Sequence, residues 1–363
     1  MPKSPLSSVP DLIAELRAGR MIILVDDEDR ENEGDFVVAA EQLTPQQVVM
    51  MNRYASGIIT VPMPRAWLKR LHIGPMVQEN SESMHTAFTV TVDAKAGIGT
   101  GSSAMDRVAT IQRLASPTAQ ADDFVRPGHV NPLAVRDGGV LKRAGHTEAS
   151  HDLMVLAGQS PVAVLCEIMD DQGEMSRLPA LEDLALRFNL KLGTIADVIR
   201  YRRQTEKLVI QISERQIATN FGDFKVVRFR SSVDHGYYTA LVRGAINPEQ
   251  PTLVRIHAGA LADDLLSLLE THRSGNLEVA LNLIAQERCG ILLCIEPNDA
   301  GSSDERDYGI GAQILRELGV RKLRLISNHP RPRAALDGFG LELIETVPLE
   351  SKHELPKVSP KTP

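Results

Sequence analysis

Short apolar, β-branched runs alternate with capped amphipathic helix patterns along nearly the whole chain, and the alternation breaks once, at residues 201–206 (YRRQTE). Such alternation commits a chain to sheets covered by helices, because each strand run and each helix stripe must bury an apolar face against the other. The break is charged and polar and carries no apolar face, so a domain boundary falls there. The chain has 363 residues, more than one ordinary core sustains. The expected fold class is α/β with two domains, 1–202 and 203–363, each a mixed sheet with flanking helices.

The first half opens with a helix over 10–18, in which Leu12, Ile13 and Leu16 share a face and Gly19 caps the end; an apolar strand over 21–25 follows. Thr44-Pro45-Gln46-Gln47 reads as a capping box with proline at the first helical position, opening a helix towards Tyr54. Strands are expected over 58–61, 88–92 and 162–168. Helices are expected from Ser103 to Leu114 and over 147–157, 179–188 and 194–201. Beyond the break the pattern predicts strands over 208–212, 225–229, 237–242, 252–256, 290–295 and 322–327. Helices are predicted over 261–270, 277–285 and 308–318. The tail 351–363 holds three prolines and four charged side chains and reads as disordered. No internal repeat relates the halves.

Composition excludes several function classes. No window approaches ~18 consecutive apolar residues, and the N-terminus has no apolar core or small-residue cleavage site of a secretory signal. The net charge of −7 and the 4% aromatic content argue against a nucleic-acid partner. Three cysteines, Cys166, Cys289 and Cys294, supply neither a disulfide framework nor a four-cysteine zinc site. A cytoplasmic, small-molecule protein without a membrane partner is the expectation.

Four clusters carry chemistry. In residues 26–35 (DDEDRENEGD), seven of ten side chains are acidic and Arg30 lies among them, directly after an apolar strand. Mutual repulsion raises carboxylate pKa values there unless a cation is present, and a hard divalent ion suits such a site; a solvated acidic loop is the alternative. In 126–132 (RPGHVNP), His129 is expected in a tight Pro-Gly turn, as a rigid general acid or base or simply as a surface histidine. In 138–150, Arg143, His146 and Thr147 stand at a helix start, with Thr147 as the expected cap. That start is either a phosphate cradle or an ordinary capped terminus. Glu167 interrupts the apolar run of its strand. Its burial would raise its pKa into a useful range, unless it is an exposed strand end. One cation, one phosphate cradle and two proton carriers suit enolisation of a phosphosugar through a metal-stabilised enediolate.

In this order, DDEDRENEGDF (26–36), GIGTGSSAMDR (97–107), RPGHVNPL (126–133), RAGHTEAS (143–150) and VLCEI (164–168) resemble the 3,4-dihydroxy-2-butanone 4-phosphate synthase family of riboflavin biosynthesis. The resemblance covers roughly residues 8–202. It implies conversion of D-ribulose 5-phosphate to L-3,4-dihydroxy-2-butanone 4-phosphate and formate, with Mg2+ or Mn2+, two ions per site at most, in a homodimer. It also implies that Glu31 and His146 ligate the metal. Arg30, Glu31, Asp35, the loop Arg143, Ala144, Gly145, His146 and Thr147, and Glu167 would contact substrate. His129 and Glu167 would form the essential acid–base pair. One departure stands at Thr60, where many relatives carry cysteine; a small polar group is retained, so turnover would shift rather than vanish.

Residues 207–348 resemble GTP cyclohydrolase II, through LVRIHAGALADDLLSLL (253–269), RDYGIGAQILRELGVRKLRLISNHP (306–330) and GFGLELIETVPL (338–349). The family's three zinc cysteines align with Ala260, Thr271 and Arg273, and its glycine-arginine-rich segment is reduced to residues 297–304. The implication is a domain that folds but binds no zinc and does not open the GTP ring. It would be kept for assembly, for binding a nucleotide or flavin, or for recruiting a separate GTP cyclohydrolase II. Arg321, Lys322, Arg324, Arg331 and Arg333 form a basic cluster that is either a phosphate site or a solvated face. Two rival readings remain: a non-catalytic regulator or scaffold, and a bifunctional enzyme with an unforeseen zinc site.

Overall fold

The computed structural model describes residues 6–233, 236–258, 276–295, 304–328 and 340–349. It divides into two compact units, Met1–Arg202 and Arg203–Pro363. The strands of the first unit are β1 (Ile22–Val25), β2 (Gly34–Ala39), β3 (Thr60–Pro64), β4 (Val92–Ala94), β5 (Phe124–Val135), β6 (Ala163–Glu167) and β7 (Lys191–Thr194). They form one sheet in the order β4-β5-β3-β6-β2-β1-β7. The sheet is mixed: β1 runs antiparallel to β2 and parallel to β7, while β3 runs parallel to β5 and antiparallel to β6.

Helices cover both faces. Phe36, Val38, Val164 and Cys166 pack on one side with α2 (Pro45–Tyr54), α3 (Arg65–Arg70), α4 (Ala104–Ala115) and α6 (Leu178–Phe188). Val37, Ala39, Leu165, Ile22 and Leu24 pack on the other with α1 (Val9–Arg17), α5 (His146–Ala157) and α7 (Ile195–Thr205). Coverage on both sides explains why β1 reads as an unbroken apolar run; β2, which the sequence reading did not assign, is equally buried although it carries Asp35.

The second unit holds β8 (Val209–Thr219), β9 (Gly222–Ser231), β10 (Tyr237–Arg243), β11 (Thr252–Ala258), β12 (Gly290–Ile295), β13 (Lys322–Ile326) and β14 (Glu342–Val347). The order is β14-β13-β11-β12-β10-β9-β8. Pairing is antiparallel from β8 to β12 and parallel from β12 to β14. The helices α8 (Asn276–Gln286) and α9 (Asp304–Glu317) pack on opposite faces, Ala280 and Ile284 on one, Ile314 and Leu315 on the other. Two mixed sheets with flanking helices are thus the fold, as the alternation requires.

Several local expectations change. RPGHVNP is not a turn: it lies inside the twelve-residue strand β5. Val92 pairs with Val130 but Asp93 pairs with Val125, so residues 126–129 bulge out of the ladder. Gly128 permits this because a Cβ there would meet the Val92 carbonyl carbon at 2.0 Å. Thr147 is not a cap: Gly145 is the N-cap of α5 and makes no side-chain bond, while Thr147 is buried in the first turn. The strand expected over 88–92 is reduced to isolated bridges at Phe88 and Thr89, followed by β4. The polar stretch 201–206 is not a linker at its start, since α7 continues to Thr205. The strands β2, β7 and β14 and the short helix α3 went unread in the sequence. The predicted helix over 261–270, residues 297–303 and the tail 351–363 lie outside the described residues.

The capping box is present in both directions: Thr44 Oγ1 accepts from Gln47 N (3.3 Å) and Thr44 N donates to Gln47 Oε1 (2.9 Å). Thr44→Ala is expected to cost about 1 kcal/mol, read as a lower urea midpoint of the N-terminal unit.

Candidate active site

The acidic run is the turn of the β1–β2 hairpin, in which Val25 pairs with Gly34 and Leu24 with Asp35. Asp26 organises that turn. Its carboxylate accepts from Glu31 N (3.2 Å), Glu33 N (2.8 Å) and Arg30 (2.8 Å). Arg30 also bonds the Glu31 carboxylate. The turn folds towards the start of α5, where His146 is buried. Ligand atoms of Asp26, Glu31 and His146 lie within 4.8 Å of one another.

Burial holds the His146 pKa below its usual value, although Asp26 and Glu31 pull it upward. Its Nε2 lies 3.1 Å from the Leu24 carbonyl. A carbonyl only accepts, so Nε2 carries the proton in that bond and Nδ1 keeps the lone pair a metal needs.

Asp35 lies one step inward, 4% exposed. Its Oδ1 has no hydrogen-bond partner and stands 4.0 Å from His146 Nε2. Burial pushes its pKa well up, and repulsion from Glu167, Glu33, Glu31 and Asp26 adds to it. Burial, then Glu31 and Asp26, raise Glu33 as well. The raised carboxylates expected from crowding are thus present, with desolvation as the larger cause. An orphaned buried carboxylate oxygen beside two further carboxylates and a neutral imidazole fits a hard divalent cation.

Glu167 ends β6, directly across the ladder from Asp35. It is half-buried rather than enclosed, and Oε2 accepts from Ile58 N (2.9 Å). The enclosed carboxylate is not Glu167, where burial was one expectation, but its ladder partner Asp35. Cys166, one residue earlier, points into the opposite core, and burial pushes its thiol up to about 12.

Arg143 meets Glu148 (2.7 Å), Met84 O (3.2 Å) and Thr86 Oγ1 (3.2 Å). Glu148 is 2% exposed and also accepts from Arg136 N (3.2 Å). Ala144 is the exposed tip of this loop, Gly145 is buried, and the start of α5 follows.

His129 stands apart from the carboxylates. Thr60, buried at the start of β3, lies opposite both Leu165 and Asn131. Glu167 Oε2 takes the Ile58 N–H, and Asn131, two residues after His129, donates to the Ile59 carbonyl (3.2 Å). His129 Nδ1 pairs with Asp93 Oδ2 at 2.7 Å. Sequence reading missed Asp93, Glu148 and the individual part of Asp26. Asp26 lay in the acidic run, but nothing local marks Asp93 as the partner of a residue 36 positions away, and Glu148 looks like an ordinary first-turn acid.

In the second unit, Arg324 is bound by Glu287 (2.8 Å) and Glu345 (2.5 Å), and Arg321 donates to backbone carbonyls. Arg331 and Arg333 lie outside the described residues, as do Ala260, Thr271 and Arg273. Cys289 and Cys294 are half-buried, and Cys294 packs against the core on the α8 face. No helix among the described residues is long and apolar enough to cross a membrane.

Residues 10–201 match the family model of 3,4-dihydroxy-2-butanone 4-phosphate synthase, and residues 210–303 and 296–348 match that of GTP cyclohydrolase II. A bifunctional riboflavin biosynthesis protein of Arabidopsis thaliana is 44% identical over 97% of this chain and 70% of its own length. A monofunctional riboflavin biosynthesis protein of the same plant is 44% identical over 96% and 78%. The RibBA protein of Bacillus cytotoxicus is 40% identical over 94% and 93%. A crystal structure of RibBX, a two-domain 3,4-dihydroxy-2-butanone 4-phosphate synthase from A. baumannii, superposes with a TM-score of 0.79 at 38% identity, covering 94% of this chain and 99% of that one. A 3,4-dihydroxy-2-butanone 4-phosphate synthase in complex with two magnesium ions superposes with a TM-score of 0.53 at 39% identity, covering 55% and 98%. The chain is an enzyme, a lyase of riboflavin biosynthesis. It belongs to the 3,4-dihydroxy-2-butanone 4-phosphate synthase family and carries a domain of the GTP cyclohydrolase II family.

Two outcomes check the electrostatics. Asp26→Asn is expected to weaken Mn2+ binding by about tenfold or more, measured by titration calorimetry. Asp35 has a folded pKa above its unfolded one, so its contribution favours the fold at low pH and is lost as pH rises through the folded value. With EDTA present, Asp35→Asn should therefore melt above the parent protein near neutral pH. The difference should vanish below about pH 4.

Proposed function

We propose that the N-terminal unit converts D-ribulose 5-phosphate to L-3,4-dihydroxy-2-butanone 4-phosphate and formate, with Mg2+ or Mn2+ held by Asp26, Glu31 and His146. The observation that carries this reading is the convergence of those three side chains beside the orphaned Asp35 carboxylate. The relative that holds two magnesium ions supports up to two ions per site. A bound divalent ion would polarise the carbonyl and hydroxyl oxygens of the sugar and lower the cost of removing the proton between them.

The chain's own residues do the rest. Arg30 and Asp35 hold the sugar hydroxyls at the hairpin. The loop Arg143, Ala144, Gly145, His146 and Thr147 takes the phosphate at the start of α5, where backbone N–H groups point outward. Glu167 at the end of β6 and His129 in the β5 bulge, with β3 between the two strands, divide the proton transfers. Thr60 supports that spacing from β3 and makes no proton transfer itself. A homodimer is part of the proposal.

We infer further that the C-terminal unit does not open the GTP ring. The three aligned zinc positions are Ala260, Thr271 and Arg273, none of them a thiolate. The monofunctional plant relative and the two-domain synthase of A. baumannii support this, and the bifunctional relatives favour the opposite. One assay decides both points. Purified protein with Mg2+ and ribulose 5-phosphate is expected to release formate. EDTA or Glu31→Ala should cut the rate at least about a hundredfold. GTP in a parallel reaction should remain intact. No formate with either metal would refute the lyase reading, and formate release from GTP would refute the second.

A further inference from the structure

We propose that Asp93 is the positioning residue of His129 and that the glycine loop 97–103 locks the pair into one unit. The inference rests on the acid–base role proposed for His129.

Both oxygens of Asp93 are used by this one residue. His129 N donates to Oδ1 at 2.9 Å, and the ring Nδ1 meets Oδ2 at 2.7 Å. The backbone and the ring are therefore anchored to the same carboxylate, which leaves the imidazole little freedom to turn. Burial is graded across the pair: the Asp93 side chain is 7% exposed and that of His129 is 49% exposed. A carboxylate only accepts, so Nδ1 holds the proton, and Nε2 keeps its lone pair for a substrate proton. Once that proton is taken, the carboxylate behind Nδ1 stabilises the imidazolium.

The surroundings fix this geometry. The bulge that carries His129 is tied down by Gly128 N donating to Thr91 Oγ1 (3.0 Å). Gly101 packs directly on the pair in a left-handed conformation (φ 92°). A Cβ there would lie 2.2 Å from Asp93 Oδ2 and 2.7 Å from His129 Nδ1, so no side chain fits. Asp106 in turn holds the glycine loop, accepting from Gly99 N and Gly101 N at 3.0 Å each. Those bonds keep its carboxyl below the usual range. The glycine backbone thus covers one side of the Nδ1···Oδ2 bond, which favours a single tautomer.

The test uses the full-length chain. Asp93→Asn keeps an acceptor for the His129 backbone N–H, so the bulge should persist; unchanged Mn2+ affinity at the hairpin checks the fold. Expected are a kcat loss of about 10²–10⁴-fold with KM within about threefold. In 15N-histidine NMR, His129 should move from the Nδ1–H to the Nε2–H tautomer. Added to His129→Gln, Asp93→Asn should lower kcat no further. If His129→Gln abolishes turnover while Asp93→Asn keeps parental kcat and tautomer, the positioning role is wrong and the acid–base reading stands. If His129→Gln retains full turnover, the acid–base reading itself is wrong.

Discussion

A desolvated carboxylate with an unpaired oxygen governs the N-terminal unit. Asp35 sits in a central strand whose other residues are all buried, and its ladder neighbour is a second carboxylate, Glu167. Leaving such a group charged and unpaired costs several kcal/mol. It is tolerated because the sheet is clamped on both faces: Phe36, Val38 and Cys166 lock one side, and Val37, Ala39 and Leu165 the other. The hairpin cannot relieve Asp35 by slipping one residue, since that shift would turn Phe36 and Val38 onto the wrong face. The core thus holds in place a charge arrangement that the protein alone does not satisfy. A divalent cation at Asp26, Glu31 and His146 would supply the opposite charge.

The same sheet acts as a ruler. Asp35 and Glu167 are adjacent by register, and β3 separates Glu167 from His129. The strand order therefore puts β3 between Glu167 and His129, while the bulge in β5 and the end of β6 set where each side chain emerges. A bulge beside a functional histidine re-aims a side chain without disturbing the rest of the ladder. Here it also brings the His129 N–H and ring onto one carboxylate of β4.

What could be read in the sequence follows the range of the interactions. The Thr44 capping box and the α5 helix are set within four residues, and their patterns are visible in the chain. The acidic hairpin was visible as a cluster, because its acids are contiguous. Asp93 was not, since its meaning lies in a partner 36 residues away. Glu148 likewise acts through Arg143 and the Arg136 backbone, and in the sequence it looks like an ordinary first-turn acid. The Pro-Gly pair misled for a related reason. Glycine was needed for close approach to Val92, a constraint only tertiary packing reveals. Burial was expected at Glu167 because its flanks are apolar; the enclosed carboxylate is its cross-strand partner Asp35, a pairing that flanking residues do not encode.

The two units differ in how tightly site and core are joined. In the first, Asp35 and Glu167 are ladder residues, and His146 bonds the backbone of β1. Altering them alters the sheet's own electrostatics. In the second, the positions aligned with zinc cysteines, Ala260, Thr271 and Arg273, follow the end of β11 at Ala258 in sequence. The shortened glycine-arginine segment likewise follows the end of β12 at Ile295. The apolar residues that hold β10 to β13 together, among them Val254, Ile291, Leu293 and Leu323, lie within the strands and remain buried. The core of the second unit is thus built largely from residues within its strands. A fold held by residues inside its strands does not by itself specify the chemistry carried elsewhere on the chain.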